Sequence, residues 1–116
     1  MASLAFAFVP ERLISMNPEV KSMFGAHMVY LQDKMVFFLC DILKKPQHKG
    51  VWVCVSPENF DAALKLFSAS VRESNKNSKG RKWIFIAAAA DDFEEQVNFA
   101  CDLVLRKNTL IGRTPV

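Results

Sequence analysis

The chain has 116 residues, which is enough for one domain over residues 1–116 and too short for a second independent core. Hydrophobic residues make up 51% and charged residues 23%, and this balance excludes an intrinsically disordered chain. The net charge of +3 is smaller than a nucleic-acid-binding domain usually carries, so nucleic acid is not the partner we expect.

The N-terminal segment and the cysteines favour a cytoplasmic protein. Residues 2–9 are apolar, but the run is short, has no basic region before it and is followed at once by proline and charged residues. This pattern fits neither a signal peptide nor a membrane span, so we expect no membrane association. Cys40, Cys54 and Cys101 each lie inside an apolar run, which predicts buried, reduced thiols.

In chain order, the sequence first predicts two short helices. Pro10 suits the first turn of a helix that carries Leu13. Asn17 followed by Pro18 is typical of the start of a second helix, which Gly25 would end.

Three strands are predicted next. The first two cover residues 27–32 and 34–42 and are joined by a tight turn at residues 32–34. The second of them is apolar on both faces, which is typical of a strand covered on both sides or of a strand in a dimer interface. The third strand covers residues 51–55, with valines on one face and Trp52 on the other.

The second half of the chain predicts two longer helices and a fourth strand. One helix begins at Ser56, and its apolar residues recur at helical spacing up to Val71. The fourth strand covers residues 83–87. Asp91, with Glu94 three residues later, predicts a capping box for the last helix. The predicted fold is therefore α+β in the order α-β-β-β-α-β-α: a two-layer, mostly antiparallel sheet of four or five strands with helices packed on one side.

Several different short motifs follow one another along these elements. They are Met23-Phe24-Gly25 before a strand with Tyr30, Lys34-Met35-Val36, Gly50-Val51-Trp52, Trp83, Asp92-Phe93-Glu94-Glu95 and residues 111–115. Together they resemble the N-terminal domain of the TfoX/Sxy family over residues 6–115. The resemblance implies a two-layer α+β fold and suggests a regulatory protein, and it implies no active site. TfoX itself is associated with regulation of competence for DNA uptake in a longer chain with a second, C-terminal domain, which we expect to be absent here.

Candidate site residues are few. A pocket between the sheet and the helices would use His27, Tyr30 and Cys40. A metal site needs at least three converging ligands, and a nucleophilic cysteine needs an exposed thiol beside an oriented base. Because the histidines and cysteines are widely spaced and the cysteines lie in apolar runs, we expect structural thiols and no catalytic, cofactor-binding or metal-binding residues.

A basic loop is the second candidate site. It contains Lys76, Lys79, Arg81 and Lys82, which are candidates for contact with the phosphates of a polyanion. No recognition helix and no interleaved exposed aromatic residues accompany it in the sequence, so a solvated loop is the favoured interpretation.

These features together predict a non-enzymatic binding or interaction module without a cofactor. The apolar second strand predicts self-association, most simply as a homodimer. Another protein is a further expected partner. Two alternatives stay open: a small-molecule-binding protein or enzyme with a pocket between the sheet and the helices, and a weak nucleic-acid-associated accessory protein that uses the basic loop.

Overall fold

The computed structural model describes residues 6–23, 26–41, 49–67, 72–74, 82–106 and 110–112. Its strands are β1 (Glu19–Met23), β2 (Ala26–Leu31), β3 (Lys34–Cys40), β4 (Gly50–Val55), β5 (Arg72–Ser74) and β6 (Lys82–Ala87), and its helices are α1 (Phe8–Arg12), α2 (Phe60–Leu64) and α3 (Phe93–Leu105). The strands form one antiparallel sheet in the order β1-β2-β3-β4-β6-β5. The predicted α+β class and order of elements are confirmed, and β1 and the three-residue β5 add a strand at each edge.

The segment that forms β1 was expected to be a helix, and that expectation is wrong. Asn17 has a left-handed backbone (φ 58°) and follows a short 3-10 turn, so it ends a helical turn instead of starting one. After Pro18 the chain is extended and pairs antiparallel with β2. Pairing with a neighbouring strand therefore overrides the local capping signal. Phe24 and Gly25, which the resemblance also uses, lie outside the described residues.

The turn between β2 and β3 is confirmed. Leu31 pairs with Lys34, which leaves Gln32 and Asp33 as a two-residue loop. Both loop residues have positive φ, 49° and 71°, as a type I′ turn requires. This turn fixes the register in which the two strands pair.

One side of the sheet packs against the helices and forms the main core. Val51, Val53 and Val55 of β4 are fully buried there, because alternate residues of a strand point to the same side. The prediction that the helices pack on one side is confirmed by the buried residues that the helices, and the C-cap residue of α1, Leu13, add to this cluster: Val9, Leu13, Phe60, Ala63, Val97, Ala100, Cys101, Leu103 and Val104.

Both later helices differ from prediction at their ends. A 3-10 turn, Pro57–Asn59, precedes α2, which ends at Leu64, and residues 68–71 lie outside the described part of the chain. The last helix has Asp92 as its N-cap residue, so Asp91 does not start a capping box. The acidic residues of its first turn still interact favourably with the positive, N-terminal end of the helix dipole.

Near one end of the sheet, β3 and β4 separate. They pair only from Phe37 opposite Val53 to Cys40 opposite Gly50, and a register shift in the β2–β3 pairing lies at the end where they part. There Gly112 forms an isolated parallel bridge with Val55, and its N–H donates a hydrogen bond of 2.7 Å to the Cys54 carbonyl. The C-terminal segment thus satisfies backbone groups of β4 that β3 leaves unpaired.

Candidate functional site

The side of the sheet away from the main core carries a row of residues that are directly opposite one another on successive strands. Its members on β2, β3, β4 and β6 are apolar or aromatic, and the member on β1 is basic. From β1 to β6 the row contains Lys21, Met28, Phe38, Trp52 and Phe85.

Four aromatic residues on this side form a connected cluster, which we call the aromatic face: Phe38, Trp52, Trp83 and Phe85. The Trp52 and Phe85 ring centroids are 4.6 Å apart, and those of Trp52 and Trp83 are 6.4 Å apart in an edge-to-face arrangement. These separations are typical of favourable aromatic pairs. All four side chains are half-buried, so each retains a solvent-accessible part.

A buried cysteine lies on the same side of the sheet as the aromatic face. Phe38 and Trp83 lie on the two strands that flank β4, and those strands are about 9.6 Å apart in a regular sheet. Their ring centroids are only 6.1 Å apart, so the side chains lean towards each other across β4. Cys54 is directly opposite Trp83, on the same side of β4 as Trp52, and it is 0% exposed. It is part of the buried floor of the aromatic face.

Other small and flexible apolar residues complete this floor. Ala26, Met28 and Cys40 are at most 3% exposed, and they are not part of the main core cluster. The sheet thus has two apolar layers, one under the helices and one under the aromatic face.

The border of the face at β1 is polar and balanced in charge. The Lys21 ammonium nitrogen is 3.8 Å from a Glu19 carboxylate oxygen and 5.2 Å from the centre of the Tyr30 ring. Glu19 is directly opposite Tyr30, and Lys21 is opposite Met28, so all three polar groups are on the same side as the aromatic face. The positive charge at this edge is compensated by a carboxylate of its own strand.

The structure does not bring the three predicted pocket residues together. His27 is opposite Leu39, whose side chain belongs to the main core, so His27 is on the helix side of the sheet. Tyr30 and Cys40 are on the other side, on different strands and at opposite ends of them, roughly 13 Å apart along the strand direction. A Cys40–His27 pair is therefore not formed.

All three cysteines are buried thiols, as the sequence predicts. Burial raises the pKa of the Cys101 thiol to about 12; the Asp102 carboxylate adds to the increase and the Arg12 guanidinium opposes it. A thiol with so high a pKa is protonated at neutral pH and is a poor nucleophile.

The basic loop is only partly within the described residues. Lys82 is the first residue of β6 and is opposite Val55, whereas Lys76, Lys79 and Arg81 lie outside the described part. Among the residues that the structure describes, no three His, Cys, Asp or Glu side chains are placed to bind a metal ion.

The aromatic face was missed by reasoning from the sequence, although one signal was present. Trp52 was assigned to the face of its strand opposite the valines, and the same alternation applied to residues 83–87 would have put Trp83 and Phe85 together. That these residues meet Phe38 depends on which strands are neighbours, which the sequence pattern does not specify.

Comparison with known proteins adds no relative. The chain matches no protein-family model, no curated protein and no solved structure. In the described residues, no helix combines the length and the hydropathy that are needed to cross a bilayer.

Proposed function

We propose that this chain is a non-enzymatic interaction module that associates with itself through the aromatic face. The observation that carries the proposal is the cluster of half-buried rings at Phe38, Trp52, Trp83 and Phe85 on the side of the sheet away from the main core. Aromatic residues are enriched in protein interfaces because they bury much apolar area at little cost in side-chain entropy.

Two properties of the described residues support an interaction role over catalysis or nucleic-acid binding. Cys40, the candidate nucleophile, is buried and separated by the sheet from His27, so these two residues offer no activated nucleophile. At the β1 border of the face, Lys21 is paired with Glu19, so this border offers little positive charge for a phosphate.

The resemblance to the N-terminal domain of the TfoX/Sxy family is part of this proposal, as a hypothesis of common descent and of a regulatory role. We also propose that the protein acts in the cytoplasm, where the reducing environment suits three buried thiols that form no disulfide.

Sedimentation equilibrium of the purified chain tests the proposal. We expect the mean mass to rise from the monomer value of 13.1 kDa towards twice that value as the concentration rises from micromolar to near-millimolar. A mass of 13.1 kDa at every concentration, with the protein soluble and folded by circular dichroism, would refute self-association.

A further inference from the structure

We infer that the partner of the aromatic face is the aromatic face of a second copy, packed face to face about a two-fold axis, and that the sheets do not join edge to edge. The inference rests on the proposed self-association and specifies its geometry. A two-fold dimer presents the same patch on both subunits, so the patch must be complementary to itself in shape and charge.

The two edges of the sheet are poorly suited to pairing with another copy. At one edge, β1 follows directly after Pro18 and carries the exposed, charged residues Glu19 and Lys21. At the other edge, the described part of β5 has three residues. Charged residues, proline and short length are the features by which proteins protect sheet edges from pairing with further strands.

The aromatic face has the opposite character. Its centre is apolar, and at its β1 border the described charges of Glu19 and Lys21 are balanced within 3.8 Å. This part of the surface is compatible with a copy of itself, because its centre is apolar and its β1 border brings no net charge towards the partner. A polyanion would instead favour a border with uncompensated positive charge.

The size of the face predicts a weak dimer. Leaving out the short β5, five strands about 4.8 Å apart and about 20 Å long give roughly 500 Å² per subunit for the whole side of the sheet that carries the face, or roughly 1,000 Å² in a dimer. Stable complexes bury at least about 1,200 Å², and smaller interfaces belong to transient complexes. We therefore expect the dimer to form in the micromolar range or above it.

The two tryptophans of the chain report directly on this geometry, because Trp52 and Trp83 both belong to the aromatic face. Over the concentration range in which the mass rises, we expect tryptophan emission to shift to shorter wavelength and quenching by acrylamide to fall. An edge-to-edge dimer would leave both rings as accessible as in the monomer, so association without a change in emission or quenching would overturn the inference.

Two matched lysine substitutions provide the second test. Phe85→Lys puts a charge in the aromatic face, and we expect it to raise the dimer dissociation constant at least about tenfold. Ser22→Lys puts the same charge on β1, on the side facing away from the aromatic face, since Ser22 is opposite His27. We expect this edge variant to dimerise like the unmodified chain, and circular dichroism checks that both variants fold.

The outcomes separate the two proposals. Loss of dimer in Ser22→Lys with an unchanged dimer in Phe85→Lys overturns face-to-face packing and leaves self-association standing. Absence of any dimer in the unmodified chain overturns both. If Phe85→Lys does not fold, the emission and quenching of the unmodified chain decide the question. Quenching by a single-stranded oligonucleotide at physiological salt, without concentration-dependent association, would assign the face to nucleic acid and overturn the inference.

Discussion

Arg12 donates a hydrogen bond of 2.8 Å to Asp102 and so connects α1, at the start of the chain, to α3, near its end. The two side chains are 40% and 41% exposed, so solvent screens their charges. The neighbouring Leu13 is 0% exposed in the main core. We infer that buried apolar contacts, more than the ion pair, hold α1 against the rest of the fold.

This difference predicts unequal effects of two substitutions. Arg12→Ala should lower the free energy of unfolding by no more than about 1 kcal/mol, because the pair is exposed. Leu13→Ala should lower it by about 2–5 kcal/mol, because it removes a buried side chain and leaves a cavity. Urea denaturation followed by circular dichroism measures both. A loss for Arg12→Ala as large as that for Leu13→Ala would contradict the inference.

The raised pKa of Cys101 predicts that the protein loses stability at alkaline pH. Burial raises this pKa from 9.0 to about 12, so the folded state holds its proton where the unfolded thiol has lost it. The contribution of the neutral thiol to stability is therefore complete below pH 9 and is lost as the pH rises from 9 towards 12. We expect the advantage of the unmodified chain over Cys101→Ala in urea denaturation to shrink across that interval. An advantage that stays constant with pH would show that the thiol ionises equally in both states.

Replacing Gly50 should cause one of the largest losses of stability of any single substitution in the sheet. Its φ is +154°, and a Cβ there would collide with the Ile86 carbonyl oxygen and come within 2.9 Å of the Phe85 ring. Gly50→Ala should therefore lower the unfolding free energy by at least about 2 kcal/mol.

Gly112 provides the matched control for this substitution. Its φ is +102°, but the nearest atom to an added Cβ is 3.6 Å away, on the Lys34 side chain. Gly112→Ala adds backbone strain without a collision, so its cost should be about 1–3 kcal/mol and smaller than that of Gly50→Ala. The same or a larger loss for Gly112→Ala would mean that steric collision is not what makes Gly50 necessary.

The β2–β3 turn predicts a substitution that stabilises the protein. Gln32 and Asp33 both have positive φ, and Asn-Gly is the pair that type I′ turns prefer. The double change of Gln32→Asn and Asp33→Gly should raise the thermal midpoint and add about 1 kcal/mol of stability, because asparagine and glycine adopt positive φ at a lower steric cost. Asp33→Ala is the control, and it should lower the midpoint because alanine tolerates this backbone less well than aspartate or glycine. A lower midpoint for the Asn-Gly variant would refute the type I′ assignment.

Local signals in the sequence predicted the parts of the fold that are determined locally. The turn at Gln32 and Asp33 and the strand over residues 51–55 depend on near neighbours, and both are confirmed. The strand at Glu19–Met23 was mistaken for a helix because its conformation depends on pairing with β2, against a local cap signal. Non-local pairing, which a single sequence shows least clearly, accounts for this error.

The aromatic face was unpredictable for a similar reason. Phe38, Trp52 and Phe85 come from three strands far apart in the chain, and they form a row only because β4 pairs with β6 across an intervening helix. The sequence did predict that β3 is apolar on both sides, and hence that its second side would need a partner. Which residues of the other strands lie beside Phe38 could be known only from the order of the strands in the sheet.

The position of Gly50 has a consequence for the fidelity of folding. Alternate residues of β4 serve the two layers of the sheet, with valines in the core and Trp52 and Cys54 on the opposite side. A slip of one residue would exchange them, placing tryptophan under the helices and valine on the aromatic face. Gly50 opposes such a slip, because any neighbour moved into its place would bring a Cβ against the Ile86 carbonyl. Gly50 therefore helps to fix the register of β4 in the sheet. Pairings in a shifted register, which are prone to aggregation, are disfavoured while the chain folds.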